Sequence, residues 1–190
     1  NVPWSFTLHS SYIVHNGFRR SLTAQLNSAR FVRVISKKIA DTLLLFMGND
    51  YSSKVKVIHL GVPCAVKSRE SSKKNGPFII ATPGVLLPHK GHQFALKACR
   101  FLLDRGVSDF VWYFYGDGPL HSSLANQIRD MHLSNVITLA GMIDNTALLR
   151  LYSEGKVDVV VLPSIEINGI HEGIPVSLME AMAFGIPVIA

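Results

Sequence analysis

Glu172 and Glu180 stand in the run Glu-Gly-Ile-Pro-Val-Ser-Leu-Met-Glu, two carboxylates with seven residues between them. A turn sequence separates them and an apolar segment surrounds the second. From Val176 to Phe184 the chain reads VSLMEAMAF, apolar nearly all round, which predicts a helix packed inside the protein on most of its faces. Glu180 is the only charge in that segment. An ionised carboxylate buried without partners costs several kcal/mol or shifts its pKa, so donors are expected for it, from the protein or from a ligand's hydroxyls. Upstream, Gly173 and Pro175 bend the chain into the helix, with Pro175 placed where a missing N–H does no harm. The helix N-terminus then offers free amides and a partial positive charge beside Glu172, which suits a phosphate.

Other residues invite weaker readings. The loop Gly84 to Gly91 contains Lys90 followed by Gly91 before a helical pattern, so amides and a point charge are offered together. Gly116-Asp117-Gly118 looks like the start of a dinucleotide fingerprint, but the third glycine position is His121 and no acidic residue closes the next strand. A tight strand-to-helix turn is the reading that remains. His89 and His92 are three apart without a third ligand nearby, and the chain has no Asp-x-Asp pair, so no metal is expected. His9 ends a short strand pattern, where a surface or satisfied histidine is the default. The two glutamates also admit a glycosidase acid/base pair, but such carboxylates flank a sugar from opposite sides and these share one loop-helix segment. One helix-capping and one salt-bridged glutamate is the structural alternative.

The elements that must position these residues alternate. The strand patterns Phe78 to Thr82, Phe110 to Tyr115, Val136 to Leu139, Val157 to Leu162 and Ile186 to Ala190 include continuous apolar runs, which suit a sheet covered on both faces. Helical patterns fill the gaps, at 92–105, 119–132 and 146–154. This alternation predicts an α/β protein with a doubly wound parallel sheet, whose ligand crevice lies beyond the carboxyl ends of the strands. Gly84, Gly116, Gly141 and the loop 164–175 all follow strands, so Glu172, Glu180, Gly84 and Lys90 are expected to face one cleft. Before this region the texture differs: a short strand at 5–9, helical material at about 21–33 and 36–47, then VKVIHL at 55–60. A polar stretch, 67–77, reads as the linker between domains 1–66 and 78–190.

Composition narrows the classes. Over 190 residues, 48% apolar content is ample for a core. The chain opens on Asn1 and stops on Ala190 in a strand pattern, so a piece of a longer protein is expected. Cys64 and Cys99 sit in no zinc or redox spacing. No apolar run reaches the ~18 residues a membrane span needs. A formal charge of +6 points to acidic partners, but the basic clusters lack interleaved aromatics, so nucleic acid is not expected.

Taken together, these motifs resemble the retaining glycosyltransferases of family 4, the glycosyl transferases group 1, which have the GT-B fold of two Rossmann-like domains. The resemblance is carried by His171 to Ala190, by Tyr-Gly-Asp-Gly-Pro-Leu at 115–120, by Gly84 to Gly91, and by the valine-rich strand ending in Leu162-Pro163-Ser164. It leans towards bacterial exopolysaccharide and colanic-acid-type transferases. Both domains would then be incomplete in this chain, 1–66 being the end of the acceptor-side domain. The resemblance implies a nucleoside-diphosphate sugar as donor, a glycan or lipid-linked acceptor, and retention of anomeric configuration. No cofactor or metal is implied. Peripheral association with a membrane, at its cytoplasmic face, is also implied. By the same resemblance Glu180 would grip the ribose hydroxyls, Glu172 a hydroxyl of the donor sugar, and Lys90, beside Gly84, the diphosphate. Amides around Gly173, Ile174, Pro175, Val176 and Ser177 would meet sugar and phosphates. Gly141, Met142 and Ile143 would flank the base, and His9 would reach towards the donor. One position departs: the family commonly places Arg after the first glycine of the phosphate loop, and here Val85 follows Gly84. A bidentate phosphate contact is lost with it, which keeps a second reading open, a homologue that binds a nucleotide sugar or a partner without catalysis.

Overall fold

A computed structural model describes residues 4–9, 18–63, 76–167 and 172–190. The chain divides into two compact units, one formed by the described residues of 1–61 and 168–174, the other by those of 62–167 and 175–190. Most of the expected linker, 67–75, lies outside the described residues.

The first unit is a parallel three-stranded sheet in the order β1 (Ser5–Leu8), β2 (Phe31–Val34), β3 (Val55–Val57), with helices α1 (Arg19–Ser28) and α2 (Lys37–Met47). Its core joins Leu8, Val32 and Val34 to Leu22 and Leu26 of α1 and to Ile39 and Leu43 of α2. The helix expected to run on to Arg33 stops at Ser28. Ala29 is extended, and Phe31–Val34, with two valines, pairs with strands on both sides. Two ladders outweigh the local helical pattern. The Lys54 ammonium closes the end of α1 by donating to the carbonyls of Leu26 (2.7 Å) and Asn27 (2.9 Å). Ser36 caps α2, its hydroxyl accepting from the Ile39 amide at 3.3 Å.

The second unit alternates β4 (Phe78–Pro83), α3 (His92–Asp104), β5 (Phe110–Tyr115), α4 (His121–Asp130), β6 (Ile137–Gly141), α5 (Asn145–Ser153), β7 (Val159–Val161), α6 (Val176–Ala183) and β8 (Val188–Ile189). All strands are parallel, in the order β6-β5-β4-β7-β8. One face packs Ile80, Trp112, Phe114 and Val161 against α3 and α4; the other packs Ala81, Val160 and Leu162 against α5 and α6. The chain leaves β4 in one direction and returns to place β7 on its other side, so the switch point lies between β4 and β7. A buried chain of hydrogen bonds ties the strands beneath it: the Trp112 indole donates to the Thr82 hydroxyl (2.9 Å), which donates to the Val161 carbonyl (2.7 Å). At the opposite edge the Asp158 carboxylate accepts from the Ile79 amide (2.8 Å) and the Asp158 amide donates to the Ile79 carbonyl (2.8 Å), pinning the register.

α6 corrects one expectation. It was expected to be buried on most faces, yet only Leu178 and Ala181 are buried, and Val176 and Met182 are exposed. A helix of eight residues lying at the end of a sheet packs one side only, so Glu180 sits half-buried rather than in a core.

Candidate donor site

The carboxyl edge of the five-stranded sheet is laced by backbone hydrogen bonds. The Gly84 amide donates to the Tyr115 carbonyl (2.8 Å), the Leu86 amide to Asp117 (3.0 Å), the Leu120 amide to Leu86 (3.2 Å), and the Gly116 amide to Gly141 (2.7 Å). A side chain at Gly116 would put its Cβ 2.0 Å from the Gly84 carbonyl oxygen, so the Gly-Asp-Gly turn is glycine because the β4 loop runs across it. The β4 and β7 loops are joined as closely. Gly91 has φ 68°, and a Cβ there would lie 1.7 Å from the Pro163 carbonyl oxygen. Beside that contact the Ile165 amide donates to the His89 carbonyl (2.8 Å). The two loops of the switch point therefore hold each other.

On this scaffold Lys90 ends a single 3₁₀ turn, Pro88–Lys90, and its aliphatic stem lies over Gly84: Cδ and Cε are each 4.0 Å from where a Cβ at 84 would stand. Lys90 and Gly84 are thus close neighbours. Val85 is exposed next to them. His92, the first residue of α3, is 1% exposed, with its ring edge-on to Phe114 at 5.2 Å. Neither of its nitrogens has a hydrogen-bond partner. Burial, and then the Lys90 charge, push its pKa down to about 4, so the ring stays neutral. Among the described residues no three His, Cys, Asp or Glu side chains are grouped to hold a metal, and no helix is long and apolar enough to cross a membrane.

Glu180 meets a partner that the sequence did not reveal. One carboxylate oxygen, Oε1, accepts from the Asn145 side-chain amide at 3.2 Å. Asn145 opens α5, behind Asp144, whose carboxylate caps the helix by accepting from the Thr146 amide at 2.8 Å. Seven residues on, Tyr152 is buried in the core, its hydroxyl without a hydrogen-bond partner. Burial first, and the Glu180 charge second, raise its pKa. The Asp-Asn-Thr capping sequence was a visible signal for the start of α5, but nothing in it marked Asn145 as facing a carboxylate on another helix.

The remaining residues are distributed as follows. Gly141 ends β6 beyond a bulge, Met142 is 83% exposed, and Ile143 turns back to pack on the α5–α6 side of the sheet. Pro175 is the N-cap of α6, and its carbonyl accepts from Leu178 (3.0 Å) and Met179 (3.2 Å). The amides of Val176 and Ser177 are left without intrahelical acceptors. Glu172, Gly173 and Ile174 group with the first unit rather than with α6. There Ile174 packs on the core of that unit, and a Cβ at Gly173 would lie 3.3 Å from the carbonyl oxygen of His9, which is itself exposed beyond β1.

Comparison with known proteins adds to this geometry. The profile of the family described as "Glycosyl transferases group 1" matches residues 65–190. The chain is similar to the putative colanic acid biosynthesis glycosyltransferase WcaL of Salmonella typhimurium, with 36% identity over 72% of this chain and 34% of that protein. To the amylovoran biosynthesis glycosyltransferase AmsK of Erwinia amylovora it is 33% identical, over 73% of this chain and 34% of the other. It thus spans about a third of the length of these curated relatives. Among solved structures, Anabaena HepE in complex with UDP superposes with a TM-score of 0.75 at 20% identity, covering 99% of this chain and 53% of that one. The pneumococcal O-GlcNAc transferase GtfA, with UDP and GlcNAc, gives 0.74 at 20%, covering 98% and 37%. At such identities the likeness shows the fold, which is GT-B.

Proposed function

Since the chain belongs to the glycosyl transferases group 1, we propose that this protein transfers a sugar from a nucleoside-diphosphate sugar to a glycan or lipid-linked acceptor, with retention of anomeric configuration, in the synthesis of a polysaccharide or glycoconjugate. The observation that carries the reading is the family match across 65–190, which takes in the whole Glu172 to Glu180 block. In this reading Glu180 accepts from the ribose hydroxyls, Lys90 neutralises the diphosphate beside Gly84, and Glu172 accepts from a hydroxyl of the donor sugar. Gly141, Met142 and Ile143 flank the base, the amides of 173–177 meet sugar and phosphates, and His9 reaches the donor. UDP in the HepE and GtfA structures supports a nucleotide at such a site.

Transfer breaks the bond between the anomeric carbon and the diphosphate, so negative charge grows on the departing phosphate oxygens. Cationic and N–H groups held there before the reaction are the main electrostatic contribution. The Lys90 ammonium, its stem close to a glycine, and the amides opening α6, which lack intrahelical acceptors, supply groups of that kind. No metal and no covalent nucleophile is assigned. Residues 78–190 form the donor-binding domain in this reading, and 1–66 the end of the acceptor-side domain. The colanic acid and amylovoran names of the relatives support an exopolysaccharide product; work at the cytoplasmic face of a membrane belongs to the same proposal.

The test is a panel of nucleotide sugars presented to the full-length protein with membrane extract as acceptor source, scored for both transfer and donor hydrolysis. Release of nucleoside diphosphate with an α-linked product from an α-linked donor is the expected result. Donor binding with neither reaction would instead leave a nucleotide-sugar-binding homologue, for which Val85 would be the first residue to examine.

A further inference from the structure

Asn145 and Glu180 belong to different helices, and their contact is a side-chain hydrogen bond of 3.2 Å at the ligand edge. A glutamate has three rotatable side-chain bonds, and at a half-buried position such as 180 it samples several rotamers unless something holds it. The backbone of the holder is itself fixed. Asn145 is the first residue of α5, locked behind the Asp144 cap, and the inner face of α5 is packed through Leu148 and Tyr152 in the same core as Leu178 and Ala181 of α6. The donor is also neutral. A lysine or arginine at 145 would orient the carboxylate and also cancel its charge, whereas an amide orients one oxygen and leaves the charge on the pair for other donors.

We propose that Asn145 is a positioning residue for the nucleotide site: it holds Oε1 of Glu180 so that the rest of the carboxylate faces the vicinal hydroxyls of a ribose, and it thereby sets the preference for ribonucleotides over deoxyribonucleotides. This rests on the reading of Glu180 as the ribose acceptor. It goes beyond that reading by making the selectivity depend on a residue outside the glutamate block, in the segment after β6.

The experiment titrates the full-length protein with UDP, GDP and ADP and with their 2′,3′-dideoxy counterparts, for wild type, Asn145→Ala, Asn145→Asp and Glu180→Ala. The readout is the ratio of dideoxy to ribo Kd, which a general loss of stability does not move. Wild type is expected to prefer one ribonucleotide by a factor of about ten or more, the size of one charge-assisted hydrogen bond. Asn145→Ala should cut that ratio several-fold, and Asn145→Asp, which sets a second carboxylate against the first without changing shape, should cut it at least as far. Asn145 is exposed, so neither change threatens the fold. If Glu180→Ala abolishes the ratio while both Asn145 variants keep it within twofold of wild type, the role of Asn145 is refuted and the donor-site reading stands. If no nucleotide binds, or Glu180→Ala keeps the ratio, the donor-site reading is refuted, and this proposal with it.

Discussion

His92→Leu is expected to stabilise the protein near neutral pH, and by more as the pH falls. The buried imidazole has neither nitrogen hydrogen-bonded, and an unpaired buried polar group costs about 1–3 kcal/mol. Leucine of similar bulk removes that cost but gives up the edge-on contact with Phe114, worth about 0.5–1.5 kcal/mol. A net gain of about 1 kcal/mol at pH 7.5 follows. The larger effect is on acidification. The folded pKa is lowered from 6.5 to about 4. Between those values the unfolded chain binds a proton that the folded chain refuses, so stability is full above 6.5 and is lost as the pH falls towards 4. At 1.36 kcal/mol per pKa unit the whole span is about 3 kcal/mol, of which about 2 kcal/mol is lost by pH 5. His92→Leu lacks this loss. Urea unfolding of both proteins at pH 7.5 and pH 5 gives the comparison, and groups common to both cancel in the difference. The stability gap should widen by about 2 kcal/mol at pH 5. A gap unchanged within about 0.5 kcal/mol would show that His92 titrates normally in the folded state and that its burial beside Lys90 is wrongly described.

Two further changes probe the loops of the switch point. Gly91→Ala forces a Cβ into a left-handed backbone and against the Pro163 carbonyl, so the β4 and β7 loops must part and lose the Ile165–His89 hydrogen bond. A loss of about 3–5 kcal/mol is expected in thermal or urea unfolding, and a loss under 1 kcal/mol would show that the loops are not in contact. Val85→Arg, at an exposed position beside Gly84 and Lys90, should tighten nucleoside-diphosphate binding about tenfold and leave the bare nucleoside unaffected. Equal diphosphate affinity for the two proteins would mean that this loop does not reach the phosphates.

Much of the second unit was legible because its signals agree with one another. FVWYFY alternates buried and half-buried side chains along β5, and the strand-end glycines at 84, 116 and 141 mark the edge where the loops meet. The family was legible in the Glu172 to Glu180 block, and the profile match across 65–190 bears that out. Four things were not legible. Most of β2 reads as helix because FVRV is short and follows a helical run without a strong breaker; only its two neighbouring strands decide it. α6 reads as a core helix because its composition is apolar, and composition cannot say how many neighbours a helix has. Asn145 was missed because a hydrogen bond between side chains 35 positions apart leaves no periodic trace. Nor does any pattern announce that His92 is buried unpaired, since a histidine at a helix start is equally at home in solvent.

In the proposed function the carboxyl edge of the second unit holds a nucleotide donor through Glu180. Calorimetric titration of the full-length protein with a panel of UDP-, GDP- and ADP-sugars, for wild type and Glu180→Ala, tests it most directly. One donor should bind wild type, and the alanine variant should bind it more weakly by a factor of about 10–100, from the loss of a charge-assisted hydrogen-bond acceptor. Identical affinities in the two proteins, or no binding by wild type, would contradict the claim.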